Sequence, residues 1–341
     1  MLDERSKKVL YAVIQNYINY PDPVGSRTVA RKYSFGLSPA TIRNIMADLE
    51  EMDFLTHPHT SAGRVPTDRG YRFYVDLLMA KGDHSNKEIL RGLFRRLEAL
   101  RDNLDTLLSE TTKTMSLLSN YLGVAMSPNP NITTLKRVEL FSHRANKIAA
   151  IIFTDDGLIK NNIISIDLNV TQKDLNRIAG YLNSEFSGCT FGEIRKKVLQ
   201  EMSREKMLCD SLISKAINIC WEAFFSSYGD LFIAGLSDVL ELPDFSDLQK
   251  IKELSRAVED KHTIIKILDK LLGSDGVQII IGSENTMGEM KKLSLVVSTC
   301  KEYDRPVGVI GIIGPTRMDY PKAISIVDTT AKFISRMLAE K

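Results

Sequence analysis

Pro21, Pro23, Gly36 and Pro39 crowd the start of this 341-residue chain and limit how it can fold. Proline removes a helix hydrogen bond and clashes with the preceding turn, so no long helix can run through this stretch. The apolar spacing between the breakers must then be read as short helices. Val9, Leu10, Val13, Ile14, Tyr17 and Ile18 line one face of the first. Ser26 stands where a second would be capped, running to about Tyr33 before Gly36 stops it. Ser38 followed by Pro39 is the favoured order of N-cap and first-turn residue, and Ile42, Ile45, Met46 and Leu49 give the third helix a buried stripe. Phe54–Thr56 then reads as a strand, His57–Pro66 as a turn-rich excursion before a second strand, and Thr67 as the cap of a helix carrying Tyr71, Phe73, Tyr74 and Leu77.

Beyond the polar break at Lys81–Ser85, Leu90, Leu93, Leu97, Leu100, Leu104, Leu107 and Thr111 keep steps of three and four, continued with a shift by Met115, Leu118 and Leu122. That repeat fits a coiled-coil seam or dimer helix, and equally a long helix lying on its own sheet. Asp155-Asp156-Gly157 between Ile148–Phe153 and Leu158–Ile166 is a strong hairpin signal. From Gln172 to about Phe225 the pattern is mostly helical. Leu231–Ala234 is a short strand, 247–259 and 263–272 are helical, and Gly276–Ile281, Leu293–Thr299 and Val307–Ile313 are strand-like before a closing helix at Ala323–Leu338. Strands in hairpins with helices grouped around them predict a multidomain α+β fold, not a doubly wound parallel sheet.

Composition narrows the function classes. With 43% hydrophobic and 26% charged residues the chain is an ordinary globular protein, not a disordered one. Its longest stretch of apolar and glycine residues, Val307–Ile313, falls far short of the ~20 residues a membrane helix needs. The start of the chain shows no signal-peptide pattern, and cysteines this sparse make reduced thiols in a cytoplasmic protein the expectation. Cys189, Cys209, Cys220 and Cys300 have neither zinc-type nor CxxC spacing and read as reduced thiols. A net charge of +2 is no whole-protein signal for nucleic acid, so that argument has to be local.

Locally it is strong. Pro23–Ala47 contains Arg27, Arg31, Lys32 and Arg43 and no acidic residue. Projected on a helix, the face opposite Ile42, Ile45, Met46 and Leu49 shows Ala40, Asn44 and Ala47, with Thr41 and Arg43 on its shoulders. Small alanines admit a helix deep into a major groove, an Asn amide matches adenine N6/N7, and an Arg fork matches guanine O6/N7. A solvated helix with incidental basic residues is the competing reading. The excursion after it resembles a wing, with Arg64 aimed at a minor groove and Arg69 and Arg72 at phosphates. Ser38, Thr60 and Ser61 join Arg27 and Lys32 as further backbone-contact candidates. His57 and His59 lack further ligands nearby, so no metal site is expected. Gly308, Gly311 and Gly314 do not form a dinucleotide fingerprint, and no nucleophile, metalloprotease or P-loop motif occurs. No catalytic residues and no cofactor are expected. Ser283, Glu284, Asn285, Arg317 and Asp319 are polar groups at strand ends. They leave one alternative open: a metabolite-sensing or enzymatic α+β domain, with the helical head used for protein contacts.

The run Leu37–Asp76, LSPATIRNIMADLEEMDFLTHPHTSAGRVPTDRGYRFYVD, resembles the winged-helix segment of the HrcA family of bacterial heat-inducible transcription repressors. PVGSRTVARKY before it, LPDFSD (Leu242–Asp247), IGSEN (Ile281–Asn285) and IGPTRMDYPKAI (Ile313–Ile324) resemble further motifs of that family, in order along the chain. The resemblance implies a winged helix-turn-helix over 1–80, a GAF-like domain from 81–168 and 247–341, and an inserted, mostly helical dimerisation domain over 169–246. It also implies a homodimer that binds an inverted-repeat operator, the CIRCE element, upstream of chaperone operons and represses them. The chaperonin GroEL is the implied partner promoting the active state.

Overall fold

The computed structural model describes residues 2–59, 62–80, 97–98, 100, 104–127, 134–144, 147–155, 157, 159–165, 170–194, 197, 231–285, 288–303 and 305–339. They form a mixed α+β protein in two compact units: one from 1–126 and 231–341, the other from 127–230. Among the described residues, no helix is long and apolar enough to cross a membrane.

The larger unit opens with the three expected helices, α1 (Glu4–Asn19), α2 (Ser26–Lys32) and α3 (Pro39–Glu51). A two-stranded hairpin, β1 (Leu55–Thr56) and β2 (Val65–Pro66), and α4 (Asp68–Met79) follow. Val9, Leu10, Val13, Ile14, Val29, Ile42, Leu49, Tyr74 and Val75 close its core. Ser26 is the first helical residue rather than a cap: Gly25 is the N-cap of α2, and no side chain caps that helix. Thr67 does cap α4, its hydroxyl accepting the Gly70 amide at 3.1 Å.

The rest of this unit is built on an antiparallel sheet in the order β7 (Leu231–Ala234), β3 (Leu122–Met126), β10 (Arg305–Pro315), β9 (Leu293–Glu302), β8 (Val277–Ile280). One face packs on α5 (Leu104–Ser119) and α10 (Tyr320–Ala339), the other on α8 (Leu248–Glu259) and α9 (Lys261–Leu271); a short α7 (Leu236–Leu240) follows β7. A sheet covered on both faces has no polar side to alternate with, and Leu293–Cys300 is accordingly buried without a break. Gly123 makes one of these contacts possible: a Cβ there would lie 2.1 Å from the Thr112 carbonyl oxygen of α5.

The leucine repeat does not run through to Leu122 as one helix. α5 ends at Ser119, Asn120 turns the chain in the left-handed region at φ 61°, and Leu122 begins β3. The part of that repeat in 81–96 lies outside the described residues. The smaller unit corrects the expected domain limits. β4 (Leu135–Arg144), β5 (Lys147–Thr154) and β6 (Ile159–Ser165) form their own antiparallel sheet, with α6 (Gln172–Phe186) on one face. The 148–166 hairpin thus pairs with β4 and does not open the larger sheet. The chain leaves that sheet after Met126 and returns at Leu231, which pairs with it.

Candidate nucleic-acid interface

The third helix is set by its start. Ser38 Oγ accepts the Thr41 amide at 3.1 Å and lies 2.9 Å from the Thr41 hydroxyl, and Pro39 supplies a first turn that needs no amide donor. Ile42, Met46 and Leu49 are buried and Ile45 half-buried, so the helix has one fixed roll angle. At that angle Ala40, Thr41, Arg43 and Asn44 are exposed together, and Ala47 is half-buried at the edge. The five residues expected to read bases share this side, and the first acidic residue, Asp48, comes a turn after Asn44.

Arg27, on α2, is exposed. Lys32 is exposed with its ammonium 4.8 Å from the centre of the Tyr20 ring, which shapes its stem without neutralising it. Ser38 is tied up in the cap. Thr60 and Ser61 lie outside the described residues.

The hairpin is held to the helices through its backbone. Val24 and Arg64 exchange two amide–carbonyl bonds of 2.9 Å each, adding a third rung beside Leu55↔Pro66 and Thr56↔Val65. Gly63 permits this approach, since a Cβ there would sit 2.6 Å from the Val24 carbonyl oxygen. The Arg64 side chain is drawn back: its Nε is 2.7 Å from Glu50 Oε2 at the end of α3, and Glu50 also pairs with His57 Nδ1. Arg69 is exposed, its guanidinium 4.8 Å from the centre of the Phe54 ring.

Arg72 sits on α4 as the sequence pattern has it, but its side chain is engaged by protein groups. Its Nε donates to Glu284 Oε1 at 2.6 Å, its Nη2 donates to the Ile279 carbonyl at 2.7 Å and pairs with Glu284 Oε2, and Nη1 lies 3.4 Å from Asp76. The Glu284 hydrogen bonds raise the pKa of this guanidinium further, so its charge is fixed and directed inward. Nothing in the sequence pointed at a partner 212 positions away.

The strand-end cluster that suggested a ligand pocket is engaged in packing. Asn285, buried, donates to the Leu293 carbonyl at 2.9 Å. Arg317 grips Asp244 with Nε and Nη2 at 3.0 and 2.6 Å, and its Nη1 donates to the Ile18 carbonyl at 2.6 Å. Asp319 caps the following turn through the Lys322 amide. Glu50, which holds Arg64 and His57, was not singled out from sequence, and Asp244 was met only within the LPDFSD motif.

The family model of the HrcA protein C terminal domain matches residues 105–324. The heat-inducible transcription repressor HrcA of Thermodesulfovibrio yellowstonii is 42% identical, covering 100% of this chain and 99% of that one. That of Geobacter sulfurreducens is 41% identical over 99% and 98%. The crystal structure of a hypothetical protein shares the fold at a TM-score of 0.65 and 21% identity, covering 100% of this chain and 99% of that chain. With relatives this similar matching from end to end, the chain belongs to the HrcA family of heat-inducible transcription repressors.

Proposed function

We propose that the protein is a cytoplasmic, homodimeric repressor that binds an inverted-repeat operator of the CIRCE type upstream of chaperone genes. It works by binding DNA and not by catalysis. In this reading residues 1–80 are a winged helix-turn-helix, the five-stranded sheet with its helices is a GAF-like domain, and the smaller unit is an inserted dimerisation domain. Ala40, Thr41, Arg43, Asn44 and Ala47 face the major groove. Arg27, Lys32 and Arg69 face phosphates, and Ser38, Thr60 and Ser61 are assigned as further backbone-contact candidates. The chaperonin GroEL promotes the active state, and heat shock relieves repression by occupying it with unfolded clients.

One observation carries this reading: a helix whose exposed side holds small and base-matching residues, flanked by exposed cations, with no acid from Pro23 to Ala47. A C₂ dimer repeats that helix at a fixed separation, which an inverted repeat mirrors. The test is selection of purified full-length protein on fragments of its own genome, with and without chaperonin and ATP. Recovery of one inverted repeat upstream of chaperone genes supports the reading, and recovery only with chaperonin supports activation by it. No enrichment from a folded dimer overturns it.

A further inference from the structure

The 1–80 head is not joined to the sheet by the chain alone. The Asp68 carboxylate, at the start of α4, accepts the Ser283 amide at 2.8 Å. Gly282 makes room for it: its φ of 48° is left-handed, and a Cβ there would lie 2.5 Å from the Asp68 carboxylate. One turn on, Arg72 holds Glu284 and the Ile279 carbonyl, as described above. On another helix of the head, Arg317 braces on Asp244 and donates to the Tyr17 and Ile18 carbonyls, at 3.3 and 2.6 Å, in the last turn of α1. Those carbonyls lack partners within the helix, and a cation suits that end of its dipole. Between the two grips Tyr71 is buried, with its ring 5.9 Å from that of Tyr320.

Two attachments leave a rigid body one axis to turn about, and a third removes it. Among the described residues the head has three such polar attachments, made by Asp68, Arg72 and Arg317 at two of its helices. We propose that Arg72 and Arg317 are positioning residues that fix the angle at which each head presents α3, and so set which half-site spacing the dimer accepts. Neither arginine touches DNA in this account. The inference rests on the DNA-binding reading above and names what regulates its geometry. Asp244 holds Arg317 from one side and the α1 carbonyls hold it from the other, so removing the carboxylate slackens the brace without removing a positive charge. Glu284 has the same relation to Arg72.

The test uses the full-length protein and a variant carrying both Glu284→Gln and Asp244→Asn. The probes are the inverted repeat selected from the genome, versions with the half-sites moved one base pair at a time through about half a helical turn, roughly 5 base pairs, and a duplex with one half-site. The wild type is expected to lose at least ~10-fold in affinity at the half-turn displacement. The variant should lose less than ~3-fold there, with single-half-site binding unchanged. Should the double variant not fold, Arg72→Lys, which keeps the charge but not the two-pronged grip, is read by the same profile. An equally sharp profile, or equal weakening at every spacing, overturns the inference, as does a wild type indifferent to spacing. A wild type that selects no duplex overturns the DNA-binding reading itself and this inference with it.

Discussion

Glu50 Oε2 stands 2.7 Å from Arg64 Nε, so the last turn of α3 holds the side chain of the hairpin behind it. The same carboxylate pairs with His57, where the chain enters that hairpin. A single acid therefore ties both limbs of the excursion to the helix expected to enter the groove. The Arg64 side chain is 24% exposed, and the pair is correspondingly screened. Replacing Glu50 by Gln should cost under ~1 kcal/mol of stability. It should also release Arg64 towards DNA, steepening the salt dependence by about one phosphate contact. Denaturant melts and DNA titrations at several salt concentrations measure both, and an unchanged salt slope would count against a restrained Arg64.

Asn44 is exposed on the groove side of α3, with Ala40 one turn before it. Asn44→Ala should weaken operator binding by about 1–3 kcal/mol and leave binding to unrelated duplexes nearly unchanged. Anisotropy titrations on the two DNAs separate the cases. An equal loss on both would show that Asn44 does not read a base.

Arg27 and Arg72 look alike in sequence, each a basic residue on a helix near α3 in the chain. The structure leaves Arg27 exposed and engages Arg72 with Glu284. Arg27→Ala should weaken all DNA about uniformly and reduce the salt slope by about 1. Arg72→Ala should leave that slope unchanged. A matching loss of slope in both variants would put Arg72 back among the phosphate contacts.

Gly123 lies under α5, where the Thr112 carbonyl oxygen would be 2.1 Å from any Cβ. Gly123→Ala must push the helix off the sheet and should destabilise the larger unit by about 2–4 kcal/mol. Gly180, in α6, has open space around its Cβ position. Its replacement by alanine should stabilise that helix by ~0.5–1 kcal/mol. Paired thermal melts check the contrast, and a neutral Gly123→Ala would mean the layers are looser than described.

Burial pushes the Cys300 thiol up to about 12, from an ordinary value near 9, and the buried hydroxyls of Tyr71, Tyr74 and Tyr320 are raised in the same way. The unfolded chain releases these protons first. The stabilisation is therefore complete below about pH 9 and is lost as pH rises towards 12, at about 1.4 kcal/mol per pH unit for Cys300 alone. Denaturant midpoints should hold up to about pH 9 and fall steadily from there to about pH 11, and a flat profile would contradict the burial of these groups. Cys300 should also resist alkylation at neutral pH until the protein unfolds.

What the sequence revealed depended on whether the signal was local. Ser38-Pro39 and Thr67 announce helix starts through bonds made within a few residues, and both were legible. β3 was not. Its residues are buried on both faces, and Leu122 happens to continue the leucine spacing of α5, so neither period nor polarity marks the change at Asn120. β4 is hidden by an irregularity between Leu135 and Arg137, which puts buried Leu135, Val138 and Leu140 three and then two residues apart. The exposed side of α3 followed from its buried stripe. The destination of Arg72 did not, because a cation near a helix start reads the same whether it meets a phosphate or a carboxylate brought in by the fold.

Met126 and Leu231 lie side by side on neighbouring antiparallel strands, so the sheet spends no edge on admitting the whole of 127–230 between them. The gap left by cutting that stretch out is one that an ordinary tight turn can bridge. The passage can therefore be lengthened, trimmed or exchanged without re-registering the strands on either side of it.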